Sequence, residues 1–117
     1  MGAEPRPMGQ FCPRYHRAVE LIGRRWTGAI LRVLLPGPHR FNAILASVPS
    51  LSDRLLSERL RELEAEGIVE RRVDPGPPVH VDYRLTPQGQ ELEPVIRDIA
   101  GWAEKWLPLA SEELQAS

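Results

Sequence analysis

The chain has 117 residues, the size of one domain, and its 42% hydrophobic and 26% charged side chains exclude disordered, collagen-like and disulfide-scaffold classes. The formal net charge is −1, yet Phe11 to Leu85 carry 12 basic against 9 acidic side chains, whereas Thr86 to Ser117 carry 2 against 6. A mildly basic body with an acidic end suits phosphate on one face and a different partner on the other.

Residues 1–11 hold Pro5, Pro7 and Gly9 without periodicity, which predicts a flexible arm. Pro13 suits the first position of a helix with Cys12 as its cap, and Tyr15, Ala18, Val19 and Ile22 follow at helical spacing up to Gly23. A second helix is expected from near Arg25 through Leu35; it is apolar on most sides, hence central, and Pro36-Gly37-Pro38 ends it. A short third helix covers Arg40 to Ala46, with Phe41, Ile44 and Leu45 inward. A fourth starts from the N-cap Ser52, runs through Glu66 and stops at Gly67. On its wheel Leu56, Leu60 and Leu63 form one stripe; Arg54, Glu58 and Arg61 lie opposite, Ser57 is at their flank, and Arg59 borders the leucines as a structural residue.

Ile68 to Val73 reads as a strand, and a second follows in which Val79, Val81, Tyr83 and Leu85 alternate with His80, Asp82 and Arg84. Asp74-Pro75-Gly76-Pro77-Pro78 between them is a stiff hairpin tip. Thr86-Pro87 opens a last helix whose stripe of Leu92, Val95, Ile96, Ile99, Trp102, Ala103 and Trp106 is about 20 Å long at ~1.5 Å per residue.

This order predicts an α+β, mostly α, winged helix-turn-helix domain over residues 12–109, followed by a C-terminal tail over 110–117. The polar face of the fourth helix fits a major groove about 12 Å wide, and the hairpin reaches the flanking backbone or minor groove. The candidate DNA-contacting residues are Asn42, Ser52, Asp53, Arg54, Ser57, Glu58, Arg61, Arg72 and His80. Arg54 and Arg61 either read guanine edges and phosphates or form ion pairs with Glu58 and Glu62 at helical spacing. Arg72 shares a strand face with Glu70, so it either meets phosphate or pairs across the hairpin with Asp82.

The stretch from Cys12 to Trp106 resembles the HxlR-type branch of MarR-like bacterial regulators. The matching residues are Cys12-Pro13, Ile22-Gly23-Arg24-Arg25-Trp26-Thr27 with Ile30-Leu31, and Arg40-Phe41-Asn42. Further along come Leu60-Arg61-Glu62-Leu63-Glu64 with Gly67-Ile68-Val69, Val81-Asp82-Tyr83-Arg84-Leu85-Thr86 with Gly89, and Trp102. The resemblance implies a dimeric DNA-binding regulator, and in several members the cysteine of the Cys-Pro start senses electrophiles or oxidants. Two departures stand out: His80 replaces the Arg or Lys usual before the wing's Val-Glu-Tyr, and Asp53 and Glu58 put acids on the recognition helix. Both weaken non-specific phosphate attraction, although Glu58 is also able to accept from a cytosine amino group.

Cys12 is the single cysteine, so no internal disulfide forms and a reducing cytoplasm suits the chain. A helix N-terminus stabilises a thiolate, which makes Cys12 a candidate redox sensor; without a second cysteine it would have to act through an intersubunit disulfide, an adduct or a small thiol. The competing reading is a small apolar plug at a subunit interface. That interface is expected from the first and last helices, with Trp102, Trp106 and Ile99 packed on Tyr15 and Val19 of a second copy. A homodimer requires a pseudo-palindromic double-stranded operator. His16, His39 and His80 are scattered, and no phosphate loop, nucleophile elbow or paired-carboxylate motif occurs, so no metal, cofactor or enzymatic activity is expected. No apolar run approaches the ~20 residues of a bilayer span, and the start lacks a signal-peptide core, so no membrane partner is expected. Two alternatives remain: a regulator gated by a small ligand without thiol chemistry, and a winged-helix protein-interaction module.

Overall fold

A computed structural model describes residues 6–109; the tail expected over 110–117 and the first five residues of the expected arm lie outside them. Helix α1 (Pro13–Ile22) starts as its proline dictates, from an extended Cys12, and closes with the Gly23 amide donating to the Val19 carbonyl at 2.7 Å. Helix α2 spans Thr27–Leu34, two residues later than the apolar pattern suggested. Trp26 explains the shift: its φ of 78° is left-handed, so an αR helix cannot run through it, and Arg24 to Thr27 form a turn instead. Thr27, Ile30, Leu31 and Leu34 are buried, which makes α2 the central helix. Helix α3 (Phe41–Ser47) buries Ile44 and half-buries Phe41 and Leu45.

Helix α4 (Asp53–Ala65) is capped at both ends. Ser52 accepts from the Leu55 amide at 3.1 Å, and Gly67, at φ +80°, ends the helix in a Schellman arrangement. The Ile68 amide donates back to Leu63 at 2.9 Å and the Gly67 amide to Glu64 at 3.0 Å. Leu56, Leu60 and Leu63 are buried, each stabilising the domain by roughly 1.5–3 kcal/mol. Because Ile68 belongs to that cap, strand β1 runs Val69–Asp74 rather than Ile68–Val73. It pairs antiparallel with β2 (His80–Leu85), in register from Val69↔Leu85 to Asp74↔His80. Val79, expected in the strand, belongs to the exposed tip, where the Asp74 side chain accepts from the Gly76 amide at 3.2 Å.

Two further differences have physical causes. His39 and Tyr83 exchange backbone hydrogen bonds of 2.9 and 2.8 Å, so a single isolated bridge ties the segment after α2 to the free edge of β2. Flanked on both edges, β2 is half-buried on both faces instead of alternating. The last helix is divided into α5 (Pro87–Gln90) and α6 (Glu93–Trp106). Pro94 has no N–H for the Gln90 carbonyl and its ring clashes with that turn, which forces the restart.

The core thus sits among α2, α3, α4 and the base of the hairpin, with Ile68, Val69 and Leu85 sealing its end. Neither α1 nor α6 contributes a buried residue. The radius of gyration, 16.4 Å, exceeds the ~13 Å of a compact chain of about 100 residues, as two under-packed outer helices require. The architecture is a mostly helical winged helix-turn-helix.

Candidate nucleic-acid interface

Helices α3 and α4 are joined by a short turn through Val48–Ser52, in which Ser50 adopts φ 71°. The leucine stripe of α4 fixes its inner side, so its opposite side faces solvent. Ser52, Asp53, Arg54 and Arg61 are exposed there; Ser57 and Glu58 are half-buried at its edge. Asn42 is exposed on α3. The Ser52 hydroxyl is engaged in capping, and Asp53 stands in the first turn, where the helix dipole favours an acid. Arg54 pairs with Glu58 at 3.3 Å, whereas Arg61 has no ion pair among the described residues.

In the wing Arg72 lies opposite Asp82, but the cross-strand pair does not form. The Asp82 carboxylate engages Arg84 at 3.3 Å, while Arg72 approaches Glu70 at 3.9 Å. Arg71 and Arg72 are both exposed. His80 is half-buried at the foot of the tip, level with Asp74. Helix α4 and the wing therefore present separate basic side chains, of which Arg54 and Arg72 have an acid beside them and Arg61 and Arg71 form no ion pair among the described residues. Periodicity places these residues; it does not reveal what holds α4 behind them. The buried Arg59 donates from Nε to the Arg25 carbonyl at 2.9 Å. Glu62 accepts from Arg59 at 3.3 Å and meets Arg24 at 3.1 Å, and Arg17 on α1 reaches Glu66 at 2.8 Å. Apart from Arg59–Glu62, which are three residues apart on α4, these partners are far apart in sequence, so no local pattern signals them.

Tyr15, Val19, Ile99, Trp102 and Trp106 are 47–69% exposed, with the rest of α6's apolar stripe continuing onto Leu107 and Leu109. Cys12 stands half-buried at the N-cap of α1 without a capping hydrogen bond. Its thiol is nonetheless held below the ordinary thiol value, chiefly by the backbone N–H of Tyr15. Burial opposes this, while the amide and charge of Arg14 and the charge of Arg6 assist. Among the described residues no group of three metal-ligating side chains occurs, and no helix is long and apolar enough to cross a membrane.

Comparison with known proteins places this geometry. The family described as HxlR-like helix-turn-helix matches residues 21–111. An uncharacterised HTH-type transcriptional regulator of Bacillus subtilis, YvaP, is 46% identical over 98 residues, covering 84% of this chain and 91% of its own. The reduced form of the B. subtilis transcriptional regulator YodB superposes with a TM-score of 0.76 at 43% identity, covering 84% of this chain and 96% of that one. The redox regulator HypR in its oxidised form gives 0.77 at 37% identity, over 84% and 100%. YodB has also been solved after diamide treatment and with quinone bound.

Proposed function

The chain belongs to the HxlR-like helix-turn-helix family of transcriptional regulators, and we propose that it binds duplex DNA sequence-specifically as a homodimer whose affinity responds to thiol-reactive compounds at Cys12. The observation that carries the DNA reading is the polar face of α4 beside the two exposed arginines of β1. A helix capped at its start and buried along one stripe is rigid enough to hold such a face in a major groove. Asn42, Ser52, Asp53, Arg54, Ser57, Glu58 and Arg61 form the helical part of the contact surface, with Arg72 and His80 on the wing.

The homodimer is supported by the apolar side chains that α1 and α6 leave exposed among the described residues, Tyr15, Val19, Ile99, Trp102 and Trp106, while Leu21 and Ile96 pack inward on the core. Two-fold symmetry then requires operator half-sites about 34–36 Å apart, or a multiple of that spacing. The thiol reading draws on the lowered Cys12 value and on the diamide-treated and quinone-bound forms of YodB. A regulator of this kind works in the cytoplasm. Gating by a small ligand elsewhere is the competing reading, and it predicts a response that survives Cys12→Ser.

The test begins with duplexes selected from a random pool and measures affinity against salt. Arg54→Ala should weaken the selected site by roughly 1–3 kcal/mol while leaving arbitrary duplex less affected. Arg72→Ala should weaken all sequences alike and lower the salt slope by about one. Parent-like binding by both variants would remove the DNA surface from α4 and the wing.

A further inference from the structure

The two oxygens of Glu58 are divided between two arginines of unlike character. One lies 3.3 Å from Nε of Arg54, the other 3.7 Å from a terminal nitrogen of Arg59. The Arg59 side chain is 8% exposed and fixed from behind by the Arg25 carbonyl and Glu62. The Arg54 side chain is 88% exposed and meets no other polar partner among the described residues. Glu58 therefore joins a cation locked into the domain to one that faces solvent.

An unrestrained arginine loses much rotamer freedom when it engages a base, and that loss opposes binding at every sequence. Here the carboxylate occupies the Nε edge of Arg54, which leaves the two terminal nitrogens as the outward edge of the guanidinium. Guanine presents O6 and N7 as two adjacent acceptors to such a fork, whereas adenine offers one acceptor beside a donor. The same carboxylate repels phosphate, so it lowers affinity for arbitrary DNA. Resting on the DNA-facing reading of α4, the geometry points to Glu58 as a positioning residue that presets Arg54 end-on for one guanine. It sharpens discrimination at some cost in overall affinity.

The experiment compares the parent, Glu58→Gln, Glu58→Asp, Arg54→Ala and the Glu58→Gln/Arg54→Ala double variant. Each is titrated with the selected operator, with its complete series of single base-pair changes, and with arbitrary duplex. Glu58→Gln should bind arbitrary duplex more tightly and lose roughly tenfold of guanine preference at the same position that Arg54→Ala relaxes. Glu58→Asp keeps the charge but withdraws the carboxylate by one methylene, so it should relax that position without the gain on arbitrary duplex. In the Arg54→Ala background, Glu58→Gln should change no preference. Relaxation at a different base pair, or an effect that persists without Arg54, means that Glu58 reads a base itself and overturns the proposal. Arg54→Ala relaxing a guanine that Glu58→Gln leaves tight overturns the role of Glu58 alone. If Arg54→Ala relaxes no position, both the proposal and the DNA-facing reading of α4 fall.

Discussion

Arg59 of the recognition helix donates from Nε to the main-chain carbonyl of Arg25, 34 residues earlier, at 2.9 Å. The bond fastens α4 to the turn that precedes α2, through an arginine side chain that is itself buried and would otherwise hold its charge with fewer partners. Arg59→Ala should therefore cost about 1–3 kcal/mol, read as a lower urea midpoint with unchanged slope. Arg59→Lys keeps the charge, loses the planar fork and should recover only part of that loss. A neutral alanine variant would show that the bond contributes nothing net.

Gly89 makes the closest approach to neighbouring backbone of the described glycines. A Cβ there would overlap the Ile68 carbonyl oxygen and lie 3.2 Å from the Ile68 Cγ2. Ile68 is held at that spot because the Thr86 amide donates to its carbonyl at 3.0 Å and the Thr86 hydroxyl bonds to Gly67. Gly89→Ala should destabilise by about 1–3 kcal/mol, the scale of overpacking, and lower the melting temperature by several degrees. Calorimetry showing an unchanged melting temperature would mean that α5 slides freely on the hairpin.

Trp102 and Trp106 test the assembly. Replacing both by alanine removes the largest exposed apolar surface of α6, and sedimentation should then show monomer where the parent shows dimer. Operator affinity should fall with it, because two half-sites would no longer be held together. An unchanged dimer would move the interface elsewhere.

Cys12 is predicted to alkylate faster at neutral pH than a cysteine blocked as an N-acetyl amide and measured alongside. A thiol whose value is lowered holds more thiolate at any pH below its midpoint, so the inflection of rate against pH should come earlier than for the blocked cysteine. Diamide or quinone should then change operator affinity in the parent and not in Cys12→Ser. A tenfold change needs only about 1.4 kcal/mol of bias between two arrangements of the subunits. A serine variant that still responds places the sensor outside this thiol.

Much of the molecule is legible in the sequence because its signals are local. The Ser52 cap, the leucine stripe of α4, Gly67 and the proline-rich wing tip each report on neighbours within one or two turns, and each lies where its pattern places it. The split of the last helix was also written locally, in Pro94, but the long apolar stripe around it masked the break. What periodicity misses is tertiary in origin. Trp26 takes a left-handed φ in the turn between α1 and α2, His39 pairs with a strand 44 positions later, and Arg17 meets Glu66 across 49. The polar face of α4 is therefore visible in the sequence, while the braces that hold the helix are not.

The two outer helices, ten and fourteen residues long, bury no side chain fully, and only Leu21 and Ile96 among their described residues pack partly on the core. Isolated helices shorter than roughly 12–15 residues are marginal in water. A second copy packed on them would add to their helicity, so a chain diluted below the proposed dimer's dissociation should lose some ellipticity before its core melts. Copy number in the cell would thereby set how much regulator is fully folded, and not merely how much is bound.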